Sequence, residues 1–255
     1  MDDFSRKQLI VFDLDETLSE SKMPIDEAMA LLLGDLLRKK KVAVISGGRQ
    51  IQIETQLILP LAQFSHLFKN LSIFPTCGAS FCSFKDTGWE LVYDNIFSAE
   101  EKREVFKAFD GALMASGFEP SEILYGELIE DRGAQITFSA FGQQAPIEVK
   151  GGWDPDLKKR EEIMRELTCL IPQFEIRAGG ASSIDVTKKG IDKAYGILQM
   201  EKHLFVPIEE MLYVGDRLYP GGNDYPVKLL GVQCIAVKGL EDTKELIKKI
   251  LESSL

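Results

Sequence analysis

The chain has 255 residues, 45% of them hydrophobic, and 30 basic against 40 acidic side chains give a net charge of −10. That length and apolar fraction suit one large or two small globular domains. No apolar run approaches the roughly 18 residues of a membrane span. An acidic chain repels a phosphate backbone, which argues against nucleic acid as a main partner. The opening residues, Met1-Asp2-Asp3-Phe4-Ser5, lack the apolar segment of a secretory leader. Cys77, Cys82, Cys169 and Cys234 form no Cys-x-x-Cys pair and read as reduced, buried thiols of a cytoplasmic protein.

In chain order, Leu9-Ile10-Val11-Phe12 is a short apolar run of the kind that forms a strand buried on both faces. Residues 25–41 carry Ala, Leu and Met at helical spacing. Val42-Ala43-Val44-Ile45 is a second buried strand, ending at Ser46-Gly47-Gly48, and residues 50–63 read as a helix. Leu71-Ser72-Ile73-Phe74 is a third strand. Strands alternating with helices predict a parallel α/β sheet. Such sheets bind ligands at the carboxyl ends of their strands, where Asp13 and Ser46 fall.

The middle differs. Asp86-Thr87-Gly88 is a hairpin signal between short strands. Ser98-Ala99-Glu100-Glu101 is a capping box that opens a helix reaching about Ser116. Residues 135–141 alternate polar and apolar, which predicts a half-exposed strand. Asp154-Pro155 is expected to start another helix, and residues 174–177 and 182–186 are strand-like. From Gly190 the α/β pattern resumes: a helix over 191–202, a strand Met211-Leu212-Tyr213-Val214, another over 233–237 and a helix over 241–252. The expected organisation is a core of residues 1–85 and 188–255 with an α+β insert of residues 86–187.

The sharpest chemical signal is Asp13-Leu14-Asp15-Glu16-Thr17-Leu18, directly after the first strand. Residues i and i+2 of an extended chain face the same way, so Asp13 and Asp15 are expected to share one small site. Close carboxylates repel, and a cation or shared proton must hold them together. Magnesium suits hard oxygen ligands and phosphate partners. A carboxylate nucleophile divides phosphoryl transfer into two steps, with the neighbouring acid as proton donor and acceptor.

This segment resembles the first motif of the haloacid dehalogenase superfamily of phosphatases and phosphomutases, although that family usually has glycine where Glu16 stands. The resemblance implies that Asp13 is the nucleophile and that Asp15 is the acid/base and gives Mg2+ its backbone carbonyl. Val44-Ile45-Ser46-Gly47-Gly48-Arg49 is similar to the second motif, with Ser46 as phosphoryl ligand and Gly47 and Arg49 as substrate-binding neighbours. Gly190-Ile191-Asp192-Lys193 is similar to the third, which selects Lys193 from the cluster with Lys188 and Lys189. Val214-Gly215-Asp216 followed by Asn223-Asp224 is similar to the fourth, completing the metal shell with Asp216 and with Asn223 or Asp224.

The similarity deepens toward the eukaryote-type phosphomannomutases, in Gly221-Gly222-Asn223-Asp224, in residues 179–193 and in Ile129-Glu130-Asp131-Arg132. It implies a Rossmann-like core whose inserted α+β cap closes over the site, with Arg132 as a cap phosphate ligand and Asp185 as a sugar hydroxyl acceptor. The chain departs from that branch at Gln143, where the branch carries an arginine. It departs again over Pro146-Ile147-Glu148, where Lys150 is the nearest cation, and at Thr137, where asparagine is preferred. A mutase must grip the non-reacting phosphate, and lysine is a weaker substitute for bidentate arginine.

The expected activity is Mg2+-dependent hydrolysis of a small phosphate monoester, a phosphosugar, with no nucleic-acid or membrane partner and with a homodimer allowed. Phosphomannomutase and a non-catalytic phosphosugar binder are the alternatives. A receiver domain would be about half this length and lack the Asp15 acid. A nicotinamide-binding domain would need a Gly-x-Gly-x-x-Gly after the first strand.

Overall fold

The computed structural model describes residues 4–86 and 88–253. Met1–Asp3, the residue Thr87 at the centre of the expected hairpin turn, and Ser254 and Leu255 lie outside them. The chain forms two compact units: the described residues up to Asp94 together with those from Ile191, and Asn95–Gly190.

The first unit opens with β1 (Leu9–Asp13), α1 (Glu27–Lys39), β2 (Lys41–Ile45), α2 (Gln50–Ile53), β3 (Leu71–Phe74), β4 (Ser80–Lys85) and β5 (Gly88–Asp94). The second unit contains α3 (Ala99–Ala115), β6 (Ile129–Asp131), β7 (Gln135–Ser139), α4 (Ile147–Gly151), α5 (Lys158–Leu170), β8 (Phe174–Gly179) and β9 (Ser183–Lys188). The chain then returns to the first unit through α6 (Lys193–Leu204), β10 (Met211–Gly215), α7 (Tyr225–Leu229), β11 (Gln233–Ala236) and α8 (Leu240–Ser253).

The first sheet has the order β11-β10-β1-β2-β3-β4-β5. Its first five members pair in parallel, and β4 and β5 are antiparallel. Leu9, Ile10, Val11 and Phe12 are all fully buried because helices cover both faces. Ile10 and Phe12 join a layer with Leu33, Leu37 and Ile247, while Leu9 and Val11 join one with Ile197, Met200 and Tyr213. Among the described residues no helix is long and apolar enough to cross a membrane.

Several expectations shift. Of the four cysteines expected in the interior, Cys82 is buried, Cys77 and Cys234 are half-buried, and Cys169, on the outer side of α5, is exposed. The hairpin at residue 86 is part of the first sheet, because β4 pairs with β3 and β5 with β4. The second unit therefore starts at Asn95 rather than at residue 86. The helix expected over 50–63 lasts one turn as α2, then continues as a π turn over Glu54–Ile58 and a 3-10 segment from Ala62 to Asn70.

In the second unit, β7 is wholly buried rather than half-exposed. It lies inside the sheet β6-β7-β9-β8. Its polar side chains satisfy one another: Gln135 Nε2 donates to Thr137 Oγ1 at 2.9 Å, and Thr137 Oγ1 donates to Asp185 at 2.8 Å. Ser98 caps α3 with the predicted reciprocal bonds to Glu101. Asp154 does not begin α5 but caps it from outside, accepting from the amides of Lys159 and Arg160.

Asp154 also holds the buried Arg160, whose Nε lies 2.8 Å from Oδ2 and whose Nη1 donates to the carbonyls of Gly179 and Gly180. Burial alone would raise the Asp154 carboxyl, but the Arg160 guanidinium and the two amides outweigh it and hold the group below its usual range. We predict that Asp154→Ala, which strands a buried guanidinium, lowers stability by about 3–5 kcal/mol in urea unfolding. The folded carboxyl is the stronger acid, so this contribution is present above the ordinary carboxylate pKa and fades as pH falls through the lowered one. The variant's deficit should therefore shrink in acid.

Candidate active site

Asp13 closes β1 and is 5% exposed. Parallel register sets its neighbours: Asp13 pairs with Ile45 on one side, where β2 passes into Ser46, and Phe12 pairs with Val214 on the other, where β10 passes into Gly215 and Asp216. Lys193, fully buried at the first turn of α6, places Nζ 2.7 Å from Asp13 Oδ1 and 2.6 Å from Asp224 Oδ1. Tyr213 donates its hydroxyl to that same Asp224 oxygen at 2.5 Å, and the Arg217 amide donates to Oδ2 at 3.0 Å. Carboxylate oxygens of Asp13, Asp216 and Asp224 all lie within 4.8 Å of one another.

Burial pushes the Asp13 carboxyl up to about 7, against the pull of Lys193. Burial would depress the Lys193 ammonium, but Asp13 and Asp224 keep it above its ordinary value. Asp224 is held low because Lys193 and the Tyr213 hydroxyl overcome its desolvation. Asp216 is raised by burial and by the charge of Asp224. With all three carboxylates ionised, one ammonium leaves the cluster two charges negative. Closely spaced hard oxygen donors carrying excess negative charge fit a small divalent cation such as Mg2+.

Asp15 is not among the convergent carboxylates. The extended backbone ends at Asp13: the Leu14 carbonyl accepts from the amides of Thr17, Leu18 and Ser19, and Glu16 has a φ of 59°. The two-residue alternation of a strand therefore stops before Asp15. Its carboxylate instead accepts from the Lys22 amide at 2.8 Å and from Gln56 Nε2 at 3.0 Å.

Ser46 is buried, and its hydroxyl accepts from the Gly48 amide at 3.0 Å; Gly47 is half-buried and Arg49 exposed. Asn223 is exposed, and it is Asp224 that turns inward. Of the three clustered lysines, Lys188 pairs with Glu101 in the second unit and Lys189 is exposed, so only Lys193 joins Asp13. In the second unit, Arg132 is half-buried with Nε 2.9 Å from Glu130, and Asp185 is half-buried on Thr137.

Three features escaped the sequence reading. Tyr213 sat in an apolar run and read as core. Gln56 is buried but sat on an expected helix with no motif to single it out. The third is the turn after β3, where Thr76 and Cys77 have φ of 51° and 56°. A β-branched residue rarely takes that region, and such strain gathers at functional sites. The turn joins neighbouring segments: the Thr76 amide donates to the Gly48 carbonyl at 2.9 Å and the Cys77 amide to the Ser46 carbonyl at 2.8 Å. The adjoining Gly78 touches Gly196 of α6 so closely that a Cβ would come within 2.4 Å of its Cα.

Solved structures carry the same fold. An IMP-nucleotidase of Plasmodium falciparum superposes with a TM-score of 0.69 at 18% identity, covering 96% of this chain and 68% of that one. A haloacid dehalogenase-like hydrolase of Bacteroides thetaiotaomicron gives 0.66 at 16%, covering 96% and 99%. The fold is that of the haloacid dehalogenase class. Within it, the chain belongs to the eukaryotic phosphomannomutase family, whose sequence model matches residues 81–253. A phosphomannomutase of Encephalitozoon cuniculi is 28% identical over 262 aligned positions, which take in 96% of this chain and 94% of that protein and so include Asp13 and Ser46. Fold and family together make this protein an enzyme of the haloacid dehalogenase class.

We predict that Lys193→Met, which leaves Asp13 and Asp224 buried without their ammonium, costs about 3–5 kcal/mol in urea unfolding with chelator present. Added Mg2+ should recover part of the loss. A cost under about 1 kcal/mol would show that the pair does not hold this site together.

Proposed function

We propose that the protein is a divalent-cation-dependent hydrolase of a small phosphosugar, working through a phosphorylated Asp13. The observation that carries this reading is the buried Asp13 with Lys193 Nζ at 2.7 Å and the oxygens of Asp216 and Asp224 within 4.8 Å. Family membership supports both the sugar and the cation. Asp13, Asp216 and Asp224, with the Asp15 backbone carbonyl, would hold Mg2+. When bound, the cation neutralises charge on the carboxylates and on the transferring phosphoryl group.

An Asp13 oxygen forms the bond to phosphorus as the ester P–O bond breaks. The leaving oxygen takes a proton from the Asp15 carboxyl, which must first turn from Lys22 and Gln56. Asp15 then removes a proton from water, whose oxygen attacks phosphorus and frees Asp13 and inorganic phosphate. Lys193 steadies the nucleophile, while the Ser46 hydroxyl and Gly47 amide face the phosphoryl oxygens.

Phosphomannomutase is the second reading, favoured by the family. Both reactions share the intermediate and differ in whether a bisphosphate is retained. Three of the second unit's cations are engaged at home. Lys150 Nζ donates to the Gln143 carbonyl at 2.8 Å, Arg132 pairs with Glu130, and Arg177 lies 3.4 Å from Glu175. Gln143, at the position of the branch's arginine, donates to Ser139 Oγ. Each missing charge-assisted bond to the retained phosphate weakens its hold by about 1.5–3 kcal/mol, and water gains. That tips the balance toward hydrolysis.

Asp13→Asn should cut turnover by at least ~10³-fold in protein that circular dichroism shows to be folded. Retention of more than a few per cent of activity would overturn the role of Asp13. The two readings part when the enzyme is given mannose 1-phosphate, Mg2+ and a hexose bisphosphate. Inorganic phosphate is expected to appear faster than mannose 6-phosphate, and the opposite order would establish the mutase.

A further inference from the structure

We propose that Tyr213 is a positioning residue for phosphoryl transfer: its phenol clamps Asp224 so that Lys193 stays shared with Asp13. The inference rests on the preceding assignment of Asp13 as nucleophile. Tyr213 lies in the middle of β10 and is fully buried, its ring packed in the layer with Leu9, Val11, Ile45 and Phe74. A phenylalanine would fill that space equally well, so packing does not require the hydroxyl. A buried hydroxyl must instead find a partner. Here the partner is Asp224 Oδ1, at 2.5 Å.

The choice of oxygen is what gives the contact a consequence. Asp224 Oδ1 also accepts from Lys193 at 2.6 Å, while Oδ2 accepts from the Arg217 amide at 3.0 Å. Asp224 comes from the segment between β10 and α7, outside the sheet ladder, so its carboxylate is oriented by these donors rather than by strand pairing. Three donors fix its rotation. They also spread its negative charge, so it competes less strongly with Asp13 for the ammonium. Without the phenol, Oδ1 has Lys193 as its one remaining donor among these three, and Lys193 is drawn from Asp13 toward Asp224. Asp13 then loses the cation that steadies it for attack and that meets the incoming phosphoryl charge.

The test is Tyr213→Phe, which removes one oxygen and keeps the ring. A hydrogen bond to a charged group corresponds to roughly a 10- to 100-fold change in an equilibrium or rate. With p-nitrophenyl phosphate and saturating Mg2+, kcat should fall by that factor and KM should stay within about threefold. Beryllium fluoride, which mimics the phosphoryl group on an aspartate, should bind the variant more weakly by a similar factor, read by fluorine NMR. A purely structural hydroxyl would lower the urea midpoint and leave both readouts unchanged. If the wild-type protein takes up beryllium fluoride and the variant matches it with kcat within twofold, the inference about Tyr213 is wrong. If the wild-type protein takes up none, the assignment of Asp13 falls and this inference falls with it.

Discussion

An ammonium buried at Lys193 between two carboxylates is the constraint around which the first unit is arranged. Taking any one of these ions out of water costs several kcal/mol, and only close opposite charge with good hydrogen bonds offsets it. The three groups come from three separate stretches: the end of β1, the first turn of α6, and the segment after β10. They meet because β1 and β10 run parallel and side by side, so both deliver their following residues to one edge of the sheet. The in-register apolar runs Leu9–Phe12 and Met211–Val214 therefore fix the charge cluster as firmly as the charges themselves do.

Close approach of backbone completes that arrangement. A Cβ on Gly215 would sit 2.4 Å from Asp224 Oδ2, so only glycine lets the inward-turned carboxylate lie against the end of β10. The strained pair Thr76 and Cys77 acts on the other side of Asp13. Its two amides hold the carbonyls of Ser46 and Gly48, and Gly78 lets α6 close on the same turn. Left-handed backbone at two consecutive non-glycine residues costs of order 1–3 kcal/mol each. Two buried apolar layers over-determine the geometry and supply what that strain requires. The Ser46 loop and Lys193 thus share one anchor, and a shift in either would be felt by the other.

What the sequence disclosed follows from which physical rules act locally. The strand alternating with helix, the apolar run ending in Asp13 and the capping box at Ser98 depend on neighbours a few residues apart, and they were legible. The side chain of Asp15 does not follow the strand rule, because the turn begins at Leu14. Strand β7 looked half-exposed because Gln135 and Thr137 are polar, yet each is satisfied by the next group in a chain leading to Asp185. Tyr213 and Gln56 could not be singled out, since their partners lie 11 and 41 positions away in the chain. Turn chemistry near Asp86 marks a change of direction and says nothing of which sheet the strands join, so it does not reveal that the first unit runs on to Asp94.

The two units use their charged side chains differently, and this bears on how the family's chemistry can diverge. The first unit concentrates carboxylates that a cation must balance, an arrangement equally suited to hydrolysis and to transfer between positions on a sugar. The second unit directs Arg132 and Arg177 to its own glutamates and Lys150 to a backbone carbonyl. Releasing these cations would mean different things for each. Glu130 and Glu175 are side chains and could be replaced without touching the backbone. The Gln143 carbonyl that holds Lys150 would persist whatever residue stood at that position, so an arginine there would add a cation rather than free the lysine. On the proposed reading, position 143 is therefore the first place to test for bisphosphate retention; its side chain now donates to Ser139 Oγ. Substitutions in the second unit would leave the Asp13–Lys193–Asp224 cluster of the first unit fixed, since none of its three residues lies there.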